Sequence, residues 1–172
     1  VLNLGIEGIM TIGALVGWTT VYLGGDLSTG ILVAALVGAS FGLLHALFSV
    51  YLGASQHVTG IGITLFASSI GYYSFRILLP SSTTPPKIVA FQTIEIPVLS
   101  DIPFLGIALF QHTTFTYFAF LMVPIVFWLM NKTPLGLAIK VAGENPMALE
   151  AQGLDVLFIR TIALMIGSAL MA

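Results

Sequence analysis

The sequence predicts an all-α fold: a polytopic transmembrane helix bundle that carries one short helix at its surface. Three observations lead there. The first is composition. Of 172 residues, 58% are hydrophobic and 7% charged, against about 25% charged in soluble domains, and the mean hydropathy is +1.07. The second is charge placement. No Asp, Glu, Lys or Arg lies between Asp26 and Arg76, and a chain of this length cannot hide that much apolar surface from water, so lipid must be its solvent. The third is the stretch Lys140 to Asp155, a polar interruption between two apolar runs that itself reads as a helix.

Residues 1–23 form the first apolar span, irregular at its start, where Asn3, Gly5, Glu7 and Gly8 fall. Gly24, Gly25 and Asp26 follow as a turn-rich loop. Residues 30–52 and 58–79 supply two further spans near the ~20 residues needed to cross, joined by the polar link 53–57. Residues 80–113 carry Pro80, Pro85, Pro86, Pro97 and Pro103 and are too proline-rich to span; residues 91–96 alternate weakly and predict a short strand. The fourth span, 114–130, contains Pro124, a candidate kink. A polar segment, 131–155, precedes the last span, 156–172. The chain starts at Val1 and stops at Ala172 inside an apolar run, and residues 1–18 lack the basic leader of a secretory signal. It therefore reads as one incomplete transmembrane domain, 1–172, cut from a longer protein.

Lys132, Lys140 and Arg160 flank the Lys140–Asp155 element, and the positive-inside bias puts it on the cytoplasmic side. Counting crossings back makes residues 80–113 an outer segment, although Arg76 and Lys87 oppose the bias. Within the element, Asn145 suits an N-cap, Pro146 the first helical position and Gly153 the left-handed stop. The helix between them has roughly two turns, too short to stand alone in water. Met147, Leu149 and Ala151 offer it apolar contacts. Either it docks into a partner protein or it packs on its own chain as an ordinary loop.

Gly13 and Gly17, and Gly38 and Gly42, repeat at four-residue spacing, and small residues fill the second and third spans. Small side chains let helix backbones approach in lipid, so these are read as packing positions.

Few residues can carry chemistry. Glu7 is costly within hydrocarbon. It either lines a translocation path at a break in the first helix, or sits at the membrane surface and complements a helix start. Tyr72, Tyr73 and Arg76 fit an interfacial belt, with a cavity role open to either tyrosine. His45, His57 and His112 are scattered without metal-ligand spacing. The absence of cysteine excludes thiol chemistry and disulfides. There is no serine nucleophile arrangement, and no basic-aromatic interleaving for nucleic acid. No phosphate-binding Gly-Lys-Ser/Thr loop occurs, so any nucleotide that powers the protein binds another chain.

Four stretches occur in one order: NLGIEGIMTIGA, GASQHVTGIGI, PPKIVAFQ…IPVLSDIPFLG and VAGENPMALEAQGL. Together they resemble the membrane permease subunit of ATP-binding-cassette importers, in the branched-chain amino acid, ribose and nucleoside permease superfamily. The simple-sugar/nucleoside branch matches best, over essentially the whole chain. The resemblance implies a non-enzymatic subunit, without its own cofactor, in a prokaryotic cell (inner/plasma) membrane. It implies a partner ATPase that carries ATP and Mg, an extracytoplasmic substrate-binding lipoprotein that meets the outer segment, a second permease subunit and surrounding lipid. Gly143, Glu144, Asn145, Pro146, Ala148, Leu149, Ala151 and Gly153 then form the cytoplasmic coupling helix that seats in the ATPase. Asn3 and Glu7 then lie near the substrate pathway, and Tyr72 is a further candidate for it. The cargo is a nucleoside or simple sugar, with branched-chain amino acids as the alternative. A secondary transporter that uses Glu7 as its ion site is the competing mechanism.

Overall fold

The computed structural model describes residues 2–79, 86–88, 91–95 and 111–172. Most of the outer segment 80–113, including Pro80, Pro85, Pro97 and Pro103, lies outside them. The chain divides into two compact units, Val1–Ile88 with Ala138–Ala172, and Val89–Leu137.

The first unit is helical. Helix α1 (Ile6–Tyr22) is followed by α2 (Leu27–Ala46), which runs on into a π-helical turn (Leu47–Tyr51), and by α3 (Gln56–Leu78). Two local bonds accompany the π-turn. Ser49 Oγ donates to the His45 carbonyl at 2.7 Å, competing for an acceptor of the α ladder, and the Leu52 amide bonds five residues back to Leu47 at 3.0 Å. Gly53 then turns the chain with φ +66°. After the second unit the chain returns as the end of α5 (Pro134–Glu144), then α6 (Pro146–Ala151) and α7 (Val156–Met171).

Backbone proximity holds the helices together. A Cβ on Gly8 would lie 2.5 Å from Thr64 Cα, and one on Gly42 would lie 2.7 Å from the Leu164 carbonyl. Gly17 faces Gly30 and Ala34, and Gly38 faces Ser168 and Ala172. Gly17 therefore seats α1 against α2, Gly13 lies against Ala172 at the end of α7, and Gly38 and Gly42 seat α2 against α7, inside one chain. Ile9, Ala34, Ala46, Ile63 and Ala67 are buried along these seams.

The second unit holds an antiparallel pair, β1 (Thr93–Glu95) and β2 (Gln111–Thr113), in the register Thr93↔Thr113, Ile94↔His112 and Glu95↔Gln111. Helix α4 (Thr114–Lys132) follows, with Pro124 inside it. Thr133 ends α4 by donating to the Leu129 carbonyl at 2.6 Å, and starts α5 by accepting from the Gly136 amide at 3.1 Å.

Three helical runs are long and apolar enough to cross a membrane: Leu27–Tyr51, Gln56–Leu78 and Thr114–Lys132. Ile6–Tyr22 and Val156–Met171 are shorter apolar helices. The sequence reading differs from the structure at residues 131–155, where it expects one short helix. The structure has two, because Thr133 and Pro134 open α5 with the same cap-then-proline chemistry that opens α6.

Candidate functional site

Helix α6 has both ends closed by its own residues. At its start Asn145 Oδ1 accepts from the Ala148 amide at 3.2 Å, with Pro146 at the first helical position. At its end Gly153, at φ +79°, donates to the Glu150 carbonyl at 2.9 Å, and Leu154 donates to the Leu149 carbonyl at 3.3 Å. That pair of bonds is a Schellman stop, which satisfies carbonyls a helix terminus would otherwise leave open. Asp155 starts the next helix immediately, its Oδ1 accepting from the Leu157 and Phe158 amides at 2.8 and 3.2 Å.

Six residues do not hold a helix by themselves. Leu149, 1% exposed, anchors it in a small core with Ala142 of α5 and Val156 of α7, and Ala138, Val141 and Ile159 pack around them. Full burial of a leucine contributes about 1.5–3 kcal/mol. Arg160 of α7 closes the same corner by donating to the Ala142 carbonyl at 2.9 Å. A cation against the last carbonyls of α5 also complements that helix's dipole.

The opposite side of α6 is uncovered. Met147 is 81% exposed, and Gly143, Glu144, Asn145, Ala151 and Gly153 are exposed with it, while Pro146 and Ala148 are half-buried. Leu149 is therefore a correction to the sequence reading, which offers it to a partner beside Met147 and Ala151. Its side chain belongs to the chain's own core. One side of the helix packs inward on the chain's own core, and the other faces outward.

The expected pathway residues do not converge. Asn3 belongs to a non-helical lead, residues 2–5, tied down on two sides. Its Oδ1 accepts from the Gly5 amide at 2.8 Å, and its Nδ2 donates to Ser168 Oγ of α7 at 3.3 Å. Gln56 Oε1 accepts from the Leu2 amide at 2.7 Å, and Thr64 Oγ1 donates to the Leu4 carbonyl at 3.3 Å. Glu7 is exposed in the first turn of α1. Tyr72, 77% exposed, stands two turns of α3 beyond Thr64, about 12 Å along the axis.

Tyr72 instead borders a groove of about 570 Å³ between α1 and α3, lined also by Thr11, Trp18, Gly71 and Phe75. Trp18 stacks on Tyr22 with ring centres 5.0 Å apart and planes 12° apart, and lies 6.3 Å from Phe75. Its Nε1 donates to the Pro86 carbonyl at 3.1 Å. Sequence reasoning missed Trp18 and Phe75. The four-residue step Trp18–Tyr22 and the three-residue step Tyr72–Phe75 are the signal that could have found them. Among the described residues, no group of three or more His, Asp or Glu gathers to hold a metal.

The sequence profile of the family described as "Branched-chain amino acid transport system / permease component" matches residues 1–172. A guanosine ABC transporter permease protein of Bacillus subtilis is 32% identical over 96% of this chain and 54% of its own length. A nucleoside ABC transporter permease protein of Lactococcus lactis is 32% identical over 99% of this chain and 56% of its own. The galactose/methyl galactoside import permease protein of Escherichia coli is 28% identical over 73% of this chain and 35% of its own. The chain thus spans about half the length of the first two relatives. No solved structure matches it.

Proposed function

Because the chain belongs to the family of branched-chain amino acid transport system permease components, we propose that it forms part of the translocation pathway of an ATP-driven importer. The cargo is a small polar solute, a nucleoside or a simple sugar, in keeping with the substrates named for its relatives. The chain itself binds no cofactor. A separate cytoplasmic ATPase carries ATP and Mg, a substrate-binding lipoprotein delivers cargo from outside, and a second permease subunit completes the channel in a prokaryotic cell membrane.

One observation carries this reading: α6 is capped at both ends, anchored by Leu149 and left uncovered at Met147. A helix so held is a rigid contact rather than a floppy loop, and pre-organisation lowers the entropy cost of docking. Residues 143–153 seat in the ATPase, and a push on α6 passes through Leu149 and Arg160 into α7. In this reading residues 3–8, the lead strapped to α3 and α7 by the bonds above together with the first turn of α1, border the solute pathway. Residues 80–113 are the contact for the binding lipoprotein.

Reconstitution of the full-length permease with its ATPase and binding protein tests the proposal. Nucleoside or sugar uptake is expected to require ATP hydrolysis and to survive an uncoupler. Uptake that persists without the ATPase and collapses with the uncoupler overturns it in favour of an ion-driven carrier using Glu7.

A further inference from the structure

His45 is a polar group that the seam between α2 and α7 leaves unserved. It is 0% exposed, and among the described residues neither of its ring nitrogens finds a hydrogen-bond partner. An imidazole always carries at least one N–H donor, and in its neutral form the second nitrogen accepts. Buried polar groups are bonded as a rule, and ordered water serves those that the protein leaves open.

The seam shows why side chains do not supply both partners. Gly38 faces Ser168 and Gly42 faces Leu164, so α2 and α7 pass each other in antiparallel register. Carried on by three residues, that register sets His45 opposite Thr161, which is also buried. The Thr161 hydroxyl donates to the Leu157 carbonyl at 2.8 Å. Ser49, one turn further along α2, donates to the His45 carbonyl at 2.7 Å. Both hydroxyl protons are thus committed. The Thr161 oxygen still has a lone pair to offer, but neither hydroxyl has a proton left for the accepting ring nitrogen. A water molecule both donates and accepts, so it fits between the ring and Thr161 where no hydroxyl does. The π-turn Leu47–Tyr51 begins two residues later, and within membranes ordered water and local π-turns are both means by which freed polar groups stay bonded.

We infer that His45 is a binding site for one internal water molecule, held between its ring and the Thr161 hydroxyl across the α2–α7 seam. The two helices then meet main chain to main chain at Gly38 and Gly42, and through this water one turn further on.

The full-length permease in lipid nanodiscs, labelled with ¹⁵N-histidine, gives the test by solid-state magnetic resonance. The His45 ring signals are those lost in His45→Phe, or in His45→Gln where the phenylalanine variant fails to insert. The ring nitrogens are expected to show the shifts of one bonded donor and one bonded acceptor. Magnetisation is expected to reach them from a bound water that survives a filter against mobile water. Thr161→Val keeps the size and loses the hydroxyl, and is expected to cut that transfer at least about threefold. Thr161→Ser keeps the hydroxyl and is expected to retain it. A ring with a free nitrogen or with two N–H protons overturns the inference. So does transfer that comes only from a protein hydroxyl, or transfer that is unchanged in Thr161→Val.

Discussion

Arg160 donates from its guanidinium to the main-chain carbonyl of Ala142 at 2.9 Å, bridging α7 to the last turn of α5. Helix α6 lies between these two elements in sequence, so the bond closes a loop around it. A charge-assisted bond of this kind contributes about 1.5–3 kcal/mol when buried, and less at this half-buried position. Arg160→Ala is expected to raise amide hydrogen exchange across residues 143–154 several-fold while membrane insertion is unchanged. Exchange confined to its wild-type rate would show that Leu149 alone holds the corner.

Leu149 and Met147 sit two positions apart on α6 with opposite surroundings, one 1% and the other 81% exposed. Leu149→Ala is expected to lower stability by about 2–5 kcal/mol, as core truncations do. Met147→Asp should leave stability within about 0.5 kcal/mol and cut ATPase co-purification severely. Equal ATPase capture by Met147→Asp would remove this side of α6 from the docking surface.

The Asn145–Gly153 closure makes a second test of the same helix. Gly153 holds φ +79°, a conformation that costs a branched side chain about 1–3 kcal/mol. Pro146→Ala with Gly153→Val is expected to unwind α6 at both ends and weaken ATPase binding at least about tenfold without loss of insertion. Co-purification at unchanged stoichiometry would count against the coupling role.

Glycine positions separate into those with and without room. A Cβ on Gly8 would meet the Thr64 backbone at 2.5 Å, whereas one on Gly71 would find nothing nearer than 3.9 Å. Gly8→Ala must push α1 off α3 and is expected to lower the melting temperature by several degrees. Gly71→Ala should be neutral or slightly stabilising, since alanine is the better helix former. A thermal melt of both variants in detergent decides the point.

Glu7→Gln preserves size and removes charge. With Glu7 on the proposed solute pathway, uptake should fall at least about tenfold while assembly with the ATPase is unchanged. Normal uptake would return Glu7 to the role of a carboxylate that complements the start of a helix.

Local chemistry was legible in the sequence and remote packing was not. Asn145, Pro146 and Gly153 state the ends of α6 without reference to the rest of the chain, and the structure places the caps there. The strand expected at 91–96 occurs as Thr93–Glu95, but its partner Gln111–Thr113 lies across a long connection that no local pattern reveals. Helix α5 was legible and overlooked: Thr133 and Pro134 cap it, and Leu135, Ala138, Ile139 and Ala142 follow at helical spacing. The inward turn of Leu149 was not legible, because Leu149 and Met147 are equally apolar and only the approach of α5 and α7 distinguishes them. Likewise Trp18 and Tyr72 are 54 positions apart, and nothing short of the α1–α3 crossing brings them to one groove.

The contact of Gly38 and Gly42 with Ser168 and Leu164 has a mechanical consequence. Where two rods touch at the main chain, there is no cushion of flexible side chains to absorb a small displacement. Neither can slide past its neighbour without a collision of carbonyls. A displacement of α7 would therefore carry the middle of α2 with it, because the two helices meet main chain to main chain along this seam.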